Sequence, residues 1–330
     1  MQVSIILAVR NEERYLPACL AALQESIKQS NLQCELLIGN DNSTDATGQI
    51  AEKFCQSVDF PCKVIPVKGT IGWAKGKANA VGQIIPHASA ELLLITDADT
   101  RVPPSWVAGM ARAFGPSIGL VTGFTLVEGT SLPAQLQAID WALALGTSHL
   151  LAKLNYPLTS LGNNMAYRKS AYWQTGGYAC LPLYITEDLA LLKAIRKNGW
   201  KTLHLAHPSI LALTQPVESL YQWILQRKRW FAGALHLPLP LRLLMLADGL
   251  FLLIALAVVL FSFAAGGWLW LFRFAIHAFI AAGYLWRMNH CRLIPLLPVY
   301  ELLITVLNPL VFLHYLAFPY TIWKERRYDL

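Results

Sequence analysis

Two carboxylates, Asp97 and Asp99, stand at the end of an apolar run and are the residues best suited to chemistry. The run, residues 92–96, predicts a strand buried on both faces, which places both acids at its carboxyl end. Open α/β sheets bind ligands at that end, and carboxylate oxygens suit Mg²⁺ or Mn²⁺ carrying a diphosphate. Asp is also common in turns and helix caps, so this triplet alone leaves both interpretations open.

Polar loops elsewhere carry residues suited to a nucleotide. Asp41 lies in the turn of residues 40–45, where it could accept from a base or ribose, or simply form an Asx-turn and helix cap. Residues 69–79 are glycine-rich and contain Lys75 and Lys77. A helix N-terminus and a lysine there could hold phosphate oxygens. A solvated surface loop is the alternative, because lysine is usually exposed.

A second polar cluster follows, beginning with the asparagine-containing segment 162–169. Glu187 and Asp188 then open a helix predicted over residues 189–197. Acids in a first helical turn are stabilised by the helix dipole, but Asp188 could instead be a general base aimed at an acceptor hydroxyl. Residues 226–230, Gln-Arg-Lys-Arg-Trp, place two guanidinium groups beside an indole, unless they form a basic helix on a membrane surface.

The elements that must position these residues alternate between strand and helix. Strands are predicted at residues 3–9, 35–39, 62–67 and 92–96, and helices at residues 15–28 and from a cap at Ser43 or Thr44 to residue 54. Strands separated by helix-length segments imply right-handed parallel crossovers. The predicted fold class is therefore α/β, a Rossmann-like nucleotide-binding sheet with its loops on one edge.

Composition predicts a membrane region after this sheet. The mean hydropathy of the 330 residues is +0.41 with 14% charged residues, too apolar for an ordinary soluble enzyme. The apolar excess starts near residue 235, so we expect a cytosolic domain over residues 1–234 and interfacial and transmembrane helices over residues 235–330. The net charge of +7 fits anionic lipid headgroups and anionic substrates. No basic-aromatic array points to nucleic acid.

The cysteines and the start of the chain indicate the compartment. The six cysteines include no Cys-X-X-Cys pair, which favours a reducing cytosolic setting over a metal-thiolate site. Residues 1–9 have no basic n-region and run directly into charged residues. We therefore interpret them as a strand and not as a signal peptide.

The apolar tail divides into segments of different length. We expect an interfacial segment over residues 235–246, a span over 248–264, a turn at 264–267 and a second span over 268–286, with Arg287 and Arg292 marking a cytosolic return. Residues 293–323 are long enough for one span but contain four prolines. A single span would place Lys324 and its basic neighbours outside, so we favour a hairpin bent near residues 308–309 or a re-entrant segment.

The charges inside this tail constrain its surroundings. Arg273, His277 and Glu301 lie within the predicted spans, where ionisable side chains facing lipid are costly. We expect the three side chains to face protein, water or a lipid headgroup.

Taken together, these motifs resemble family 2 glycosyltransferases. Their order and rough spacing match over residues 4–13, 40–45, 76–80, 97–99, 186–188 and 226–230. The chain is most similar to the membrane-integrated branch with cellulose, hyaluronan and poly-N-acetylglucosamine synthases, and to ceramide glucosyltransferases. The resemblance covers roughly residues 1–234 and implies a nucleotide-diphospho-sugar transferase fold of the GT-A type. Each motif is weak alone, whereas the ordered set is specific.

The resemblance also implies roles in binding the donor. Asp41 resembles the acid that holds the uracil, and Asp97 the acid near the ribose and diphosphate. Asp99 resembles the metal ligand, with Asp97 as its partner at a divalent cation, Mg²⁺ or Mn²⁺. Lys77 is similar to a phosphate or nucleotide contact, and Glu12, in the opening segment, is grouped with the donor-binding residues.

The catalytic residues follow from the same resemblance. Asp188 resembles the catalytic base, and Gln226, Arg229 and Trp230 resemble the Gln-X-X-Arg-Trp element that covers the diphosphate and acceptor site. Asn40 stands where the family often has Asp. The amino-terminal membrane helices of the large synthases are not in this sequence, which counts against a polymer-secreting channel.

The implied activity is a membrane-bound inverting transfer of a hexosyl unit from a UDP-sugar to a hydroxyl of a lipid-linked or polysaccharide acceptor. The expected location is the inner membrane, multi-pass, with the catalytic domain in the cytosol. Processive polysaccharide synthesis and single-sugar lipid glycosylation both remain open. A non-catalytic sugar-nucleotide-binding or scaffold protein of the same fold is the alternative from another class.

Overall fold

The computed structural model describes residues 2–157, 161–182, 186–323 and 326–329. The chain divides into two compact units. The first unit comprises Met1–Leu126 and Ser148–Gln215, and the second comprises Val127–Thr147 and Pro216–Leu330.

Strands and helices alternate through the first half, as the apolar patterning predicts. The strands are β1 (Val3–Val9), β2 (Cys34–Asn40), β3 (Cys62–Pro66), β4 (Leu92–Asp97), β5 (Thr100–Arg101), β6 (Ile118–Thr122), β7 (Thr125–Val127), β8 (Asn164–Arg168), β9 (Lys201–His204), β10 (Ala212–Thr214), β11 (Tyr320–Trp323) and β12 (Arg326–Asp329). The helices are α1 (Leu16–Ser30), α2 (Thr47–Ser57), α3 (Gly76–Ile84), α4 (Trp106–Arg112), α5 (Leu132–Lys153), α6 (Lys169–Gln174), α7 (Glu187–Lys197), α8 (Leu220–Ala234), α9 (Leu239–Gly249), α10 (Phe251–Phe261), α11 (Phe263–Arg287) and α12 (Leu297–Ala317).

The first unit is built on a mixed sheet in the order β3-β2-β1-β4-β8-β6-β9. Strands β3, β2, β1 and β4 are parallel, as predicted, whereas β8 runs antiparallel to both β4 and β6. Alternate residues of β1 enter different cores: Ile5 and Leu7 join the cluster of α1, and Ile6 joins the cluster containing Val81 of α3. The strand is apolar throughout because both of its faces are covered.

The second unit contains helices long and apolar enough to cross a membrane. These are α11 and the segment Cys291–Ala317, which ends with α12. Helices α9 and α10 together form a third candidate that is bent by 66°. The carboxyl-terminal part is therefore helical and apolar enough to span a membrane, as predicted.

Two details predicted for this region are wrong. Residues 264–267 are not a turn, because Ser262 caps α11 by accepting from the Ala265 N–H and Gly266 lies where a Cβ would clash with Val259 of α10. Residues 308–309 do not bend a hairpin, because α12 continues through Pro309. The Asn308 side chain bonds to Arg227 and Asp248 instead of ending the helix. Lys324, on which the charge argument depended, lies outside the described residues.

One pair of cysteines also differs from the expectation of reduced thiols. Cys55, near the end of α2, and Cys62, the first residue of β3, form a disulfide with their Cα atoms 4.9 Å apart. The short α2–β3 connection brings the two residues together.

Candidate active site

The ends of three adjacent strands bring two of the predicted acids to one edge of the sheet. Ala8 of β1 is in register with Gly39 of β2 and with Asp97 of β4. The Asp41 N–H donates to the Val9 carbonyl at 2.9 Å. Asp41 and Asp97 therefore flank the carboxyl end of β1, where the parallel topology predicts a ligand site.

The loops after β1 and β2 are held to each other by side chains. Glu12 is buried, and its N–H donates to the Thr47 hydroxyl at 2.7 Å. The Asn11 side chain accepts from the Thr44 N–H at 2.9 Å. The cap predicted at Ser43 or Thr44 is wrong, because α2 begins at Thr47. The Thr47 N–H donates to the Asp45 carboxylate at 3.0 Å.

Asp97 is the last residue of β4, and Asp99 lies in the turn that follows. Asp99 accepts from the Thr100 hydroxyl at 3.1 Å. Cys19 of α1 is buried nearby and donates to the Asp97 carbonyl at 3.4 Å. Burial raises the pKa of the Cys19 thiol well above its usual value, and the charges of Asp99, Asp97 and Glu12 raise it further. Three carboxylates thus concentrate negative potential at this strand end.

This donor set fits a cation that arrives with its substrate. Among the described residues, no group of three or more His, Cys, Asp and Glu side chains is arranged to hold a metal ion. Mg²⁺ is usually held by one or two carboxylates, with water and substrate phosphate completing its octahedron. Asp97 and Asp99 match that arrangement.

Lys77 contacts one of these acids directly. It lies in the first turn of α3 and forms an ion pair with Asp97. The glycine-rich loop before it is held by Asn79, whose side chain accepts from the Ile71 N–H and donates to the Gly69 carbonyl, both at 2.9 Å. Lys75, the other candidate, is exposed at the N-cap of α3.

Gly162, just before β8, lies next to both Asp188 and Lys77. The Gly162 N–H donates to one Asp188 carboxylate oxygen at 2.8 Å, and the Leu189 N–H donates to the other at 2.8 Å. A Cβ on Gly162 would lie 2.9 Å from the Lys77 Nζ and 3.7 Å from the Asp188 Oδ2. Lys77, which pairs with Asp97, and the carboxylate of Asp188 therefore both lie next to Gly162.

The acids that begin α7 have perturbed ionisation. Burial raises the pKa of Asp188 above that of an ordinary aspartate, and the Gly162 N–H and the Lys77 charge oppose this change. Burial, followed by the Asp188 charge, raises the pKa of Glu187 as well. A carboxylate whose pKa is raised is a stronger base than an exposed one.

Gln226, Arg229 and Trp230 lie on α8 in the second unit. Their spacing of three and four residues places them on one face of the helix. Trp230 packs edge-on against Trp141 of α5, with ring centroids 5.4 Å apart. Among the described residues, the Gln226 carboxamide oxygen and the Trp141 indole N–H are buried without a hydrogen-bond partner. Unpaired buried polar atoms are expected where a ligand completes a site.

Sequence reasoning missed three residues, of which Gly162 and Asn164 lie in the first unit and Trp141 in the second. Gly162 was recognised only as part of a polar segment, and Trp141 was not recognised at all. Asn164 of β8 accepts from the Trp106 indole N–H at 2.8 Å and donates to the Phe124 and Ile210 carbonyls at 2.9 Å. An asparagine that opens a buried strand was the available signal, because a buried polar group must be satisfied.

Comparisons with known proteins agree with this architecture. The model of glycosyl transferase family 21 matches residues 3–330. Poly-beta-1,6-N-acetyl-D-glucosamine synthase of Staphylococcus epidermidis is 28% identical over 246 residues, which cover 70% of this chain and 54% of the relative. The synthase of Staphylococcus aureus (strain COL) is 28% identical over 208 residues, 60% of this chain and 47% of the relative. The chain spans about half the length of these curated relatives.

A solved structure shows the same fold. The mannosyltransferase PcManGT from Pyrobaculum calidifontis, in complex with GDP-Man and Mn²⁺, matches with a TM-score of 0.57 and 20% identity. The match covers 91% of this chain and 87% of that chain. The predicted GT-A-type sheet is thereby confirmed.

Proposed function

The chain belongs to glycosyl transferase family 21, and from this premise we propose that it is a membrane-bound inverting hexosyltransferase. Its donor is a UDP-sugar, and its acceptor is a hydroxyl of a lipid-linked or polysaccharide molecule. The observation that carries the proposal is the meeting of the Lys77–Asp97 ion pair and Asp188 at Gly162. A cation beside a carboxylate supports transfer from a diphosphate donor with Asp188 as the base.

The donor binds at the carboxyl edge of the sheet. Asp41 accepts from the uracil, and Asp97 lies near the ribose and diphosphate. Lys77 leaves Asp97 to neutralise a phosphate oxygen, and Glu12 supports the loop beneath the nucleotide. Asp99, with Asp97, would hold a divalent cation, which when bound neutralises charge developing on the leaving diphosphate.

Asp188 acts on the acceptor. Its carboxylate takes the proton of the acceptor hydroxyl as that oxygen attacks the anomeric carbon, and the bond to the diphosphate breaks on the opposite side. In-line attack inverts the anomeric centre without a covalent enzyme intermediate. The N–H groups of Gly162 and Leu189 hold the carboxylate in a fixed orientation.

The face of α8 carries the remaining catalytic residues. Arg229 stabilises the diphosphate as its charge develops, and Gln226 and Trp230 cover the acceptor side. The unpaired Gln226 oxygen supports this role, because a substrate hydroxyl can donate to it.

The membrane assignment rests on the carboxyl-terminal helices. Residues 1–234 form the cytosolic catalytic part and residues 235–330 the interfacial and transmembrane part of a multi-pass inner-membrane protein. Helix α11 and the segment Cys291–Ala317 are long and apolar enough to span. Exposed Leu239, Leu243 and Leu244 give α9 an apolar surface suited to lipid. The names of the curated relatives favour a polysaccharide of N-acetylglucosamine as product.

Membranes containing the protein, incubated with labelled UDP-sugars and Mn²⁺, test the proposal. We expect label to move from at least one UDP-sugar into organic-soluble lipid or high-molecular-weight glycan, and EDTA to suppress the transfer. Which fraction carries the label identifies the acceptor class. Absence of transfer from every UDP-hexose, with correctly folded protein and added lipid and glycan acceptors, would refute the proposed donor and reaction.

A further inference from the structure

Helix α8 carries the motif residues and two further cations close together. Gln226, Arg229 and Trp230 share one face. Because each residue advances about 100° around a helix, Lys228 points away from that face, whereas Arg227 lies at its edge, one turn before Trp230. Lys228 is fully buried and Arg227 is mostly buried, with 17% of its side chain exposed. Two cations of this basic helix therefore lie in the protein interior.

Arg227 connects α8 to two other helices. One guanidinium nitrogen, Nη1, pairs with the Asp140 carboxylate of α5, and Nη2 donates to the Asn308 carboxamide oxygen of α12 at 2.7 Å. Asn308 in turn donates to Asp248 of α9 at 2.8 Å. A planar guanidinium reaches both partners from one position, which a lysine ammonium cannot do.

Asp140 is the common acceptor of this arrangement. Besides Arg227, it accepts from the Trp223 indole N–H at 2.9 Å and from the Tyr300 hydroxyl at 2.7 Å, and only 1% of the residue is exposed. The next residue along α5 is Trp141, which packs against Trp230. Trp230 is three residues after Arg227 and therefore its neighbour on α8, so consecutive residues of α5 contact adjacent positions of α8.

Lys228 connects α8 to the segment that follows α12. Its ammonium donates to the carbonyl of Phe318, directly after α12, and to the Tyr320 carbonyl at 2.7 Å. A cation at a helix C-terminus satisfies carbonyl groups that have no partner within the helix. Helix α8 is thus fixed at two places by Arg227 and Lys228, which are not among the three motif residues.

We propose that Arg227 and Asp140 are positioning residues, which fix the rotation of α8 so that Arg229 and Trp230 meet the substrate in a productive orientation. The inference rests on the function proposed above, because that function assigns the motif face to the diphosphate and acceptor. Rotation of a helix about its axis moves every side chain on it. Loss of the Arg227 contacts would therefore also displace Arg229 and Trp230. A misplacement of about 1 Å at a reacting group can cost about 100-fold in rate.

The test uses the full chain in lipid nanodiscs and compares Arg227→Lys, Asp140→Asn and the double variant. Arg227→Lys keeps the charge but cannot reach Asp140 and Asn308 together, and Asp140→Asn keeps an acceptor oxygen but loses the charge. Sites are counted by titration with UDP, so that kcat is expressed per donor-binding site. Arg229→Lys is the reference for the motif face, and Arg112→Met, an exposed arginine of α4, is the control.

We expect each single variant to lower kcat per site about tenfold or more, with the donor KM nearly unchanged. The double variant should be no worse than the more severe single variant, because the two residues act as one unit. The proposal is overturned if both single variants keep kcat per site within twofold of the wild type, or if activity falls only in proportion to lost UDP sites. If the double variant shows the product of two independent losses, the proposal fails as well.

Arg229→Lys separates this inference from the proposed function. If Arg229→Lys lowers kcat per site while Arg227→Lys does not, the positioning role fails and the proposed function stands. If Arg229→Lys also keeps wild-type turnover, the assignment of the motif face is wrong, and the positioning role fails with it.

Discussion

At the scale of single residues, Asp188 is held by groups with opposite effects on its charge. The N–H groups of Gly162 and Leu189 and the ammonium of Lys77 favour the carboxylate, whereas burial disfavours it more strongly. The two N–H groups keep the carboxylate oriented, and burial still raises its pKa. A catalytic base gains most when its pKa approaches the working pH.

The raised pKa of Asp188 predicts the pH dependence of turnover. The base must be ionised, so kcat should fall as the pH decreases through the raised pKa, well above the value of about 3.9 for a free aspartate. Lys77→Met removes a charge that lowers the pKa of Asp188, so the acid limb should move to higher pH. A pH profile of kcat checks both statements. An unshifted limb near pH 4 in both proteins would contradict them.

Gly162 predicts the consequence of a single methyl group. Gly162→Ala places a Cβ 2.9 Å from the Lys77 Nζ, so the ammonium must move while the Gly162 N–H still binds Asp188. We expect the donor KM to rise about threefold to tenfold, since Lys77 is proposed to hold a phosphate. Steady-state kinetics test this, with Gly115→Ala as control because nothing lies within 4 Å of its Cβ. An unchanged KM in Gly162→Ala would show that the position of Lys77 does not affect donor binding.

At the scale of elements, charged groups hold the apolar helices of the second unit together. Arg273 of α11 pairs with Glu301 of α12, bonds to Asp248 of α9 at 2.9 Å and donates to Thr305 at 3.2 Å. His277 contacts Glu301 at 2.9 Å. The expectation that Arg273, His277 and Glu301 face protein is confirmed by these contacts.

The buried pair of Arg273 and Glu301 predicts a pattern of stabilities. Arg273→Met leaves Glu301 buried without its cation and should destabilise the protein by about 3–5 kcal/mol. The double variant Arg273→Met with Glu301→Met should recover much of that loss, because no unpaired charge remains. Thermal unfolding in nanodiscs measures both. The pairing would be contradicted if the double variant lost as much unfolding free energy as the two single variants together.

The same elements show what local sequence can and cannot predict. β1 was predicted with its exact bounds, because a strand covered on both faces is apolar at every residue. The strand β8, antiparallel within the sheet, was not predicted, because its Asn164 bonds to residues 40 and more positions away. The break expected at Pro309 was wrong, because a distant partner, Arg227, holds Asn308 within the helix. Tertiary hydrogen bonds of this kind leave no local pattern.

At the scale of the whole molecule, the predicted residues belong to both units. The acids and Lys77 lie in the first unit, and Gln226, Arg229 and Trp230 lie in the second. The acids and Lys77 could be recognised from sequence because they follow a strand or begin a helix, whereas residues 226–230, in the middle of α8, could be recognised only by their composition and spacing. The support given to α8 by Asp140 could not, because nothing in the residues around Asp140 indicates its three donors.

Metal dependence is expected for the whole reaction. Asp99→Ala removes a proposed cation ligand, so the Mn²⁺ concentration that supports half-maximal transfer should rise at least about tenfold, and donor binding should weaken. Titration of transfer against Mn²⁺ measures this, with Asp59→Asn as control because Asp59 is exposed and precedes the amino end of β3, which lies opposite the carboxyl ends of the parallel strands. An Asp99→Ala protein with the wild-type Mn²⁺ requirement would remove Asp99 from the cation site.

The most direct measurement is turnover of Asp188→Asn beside its binding of a UDP-sugar. The amide keeps the size of the carboxylate and one acceptor oxygen but cannot take the acceptor proton. The account predicts that turnover falls by about 10²–10⁴-fold while the dissociation constant of the donor stays close to that of the wild type. Near-normal turnover in purified Asp188→Asn would contradict the assignment of this residue as the base, and with it the proposed mechanism.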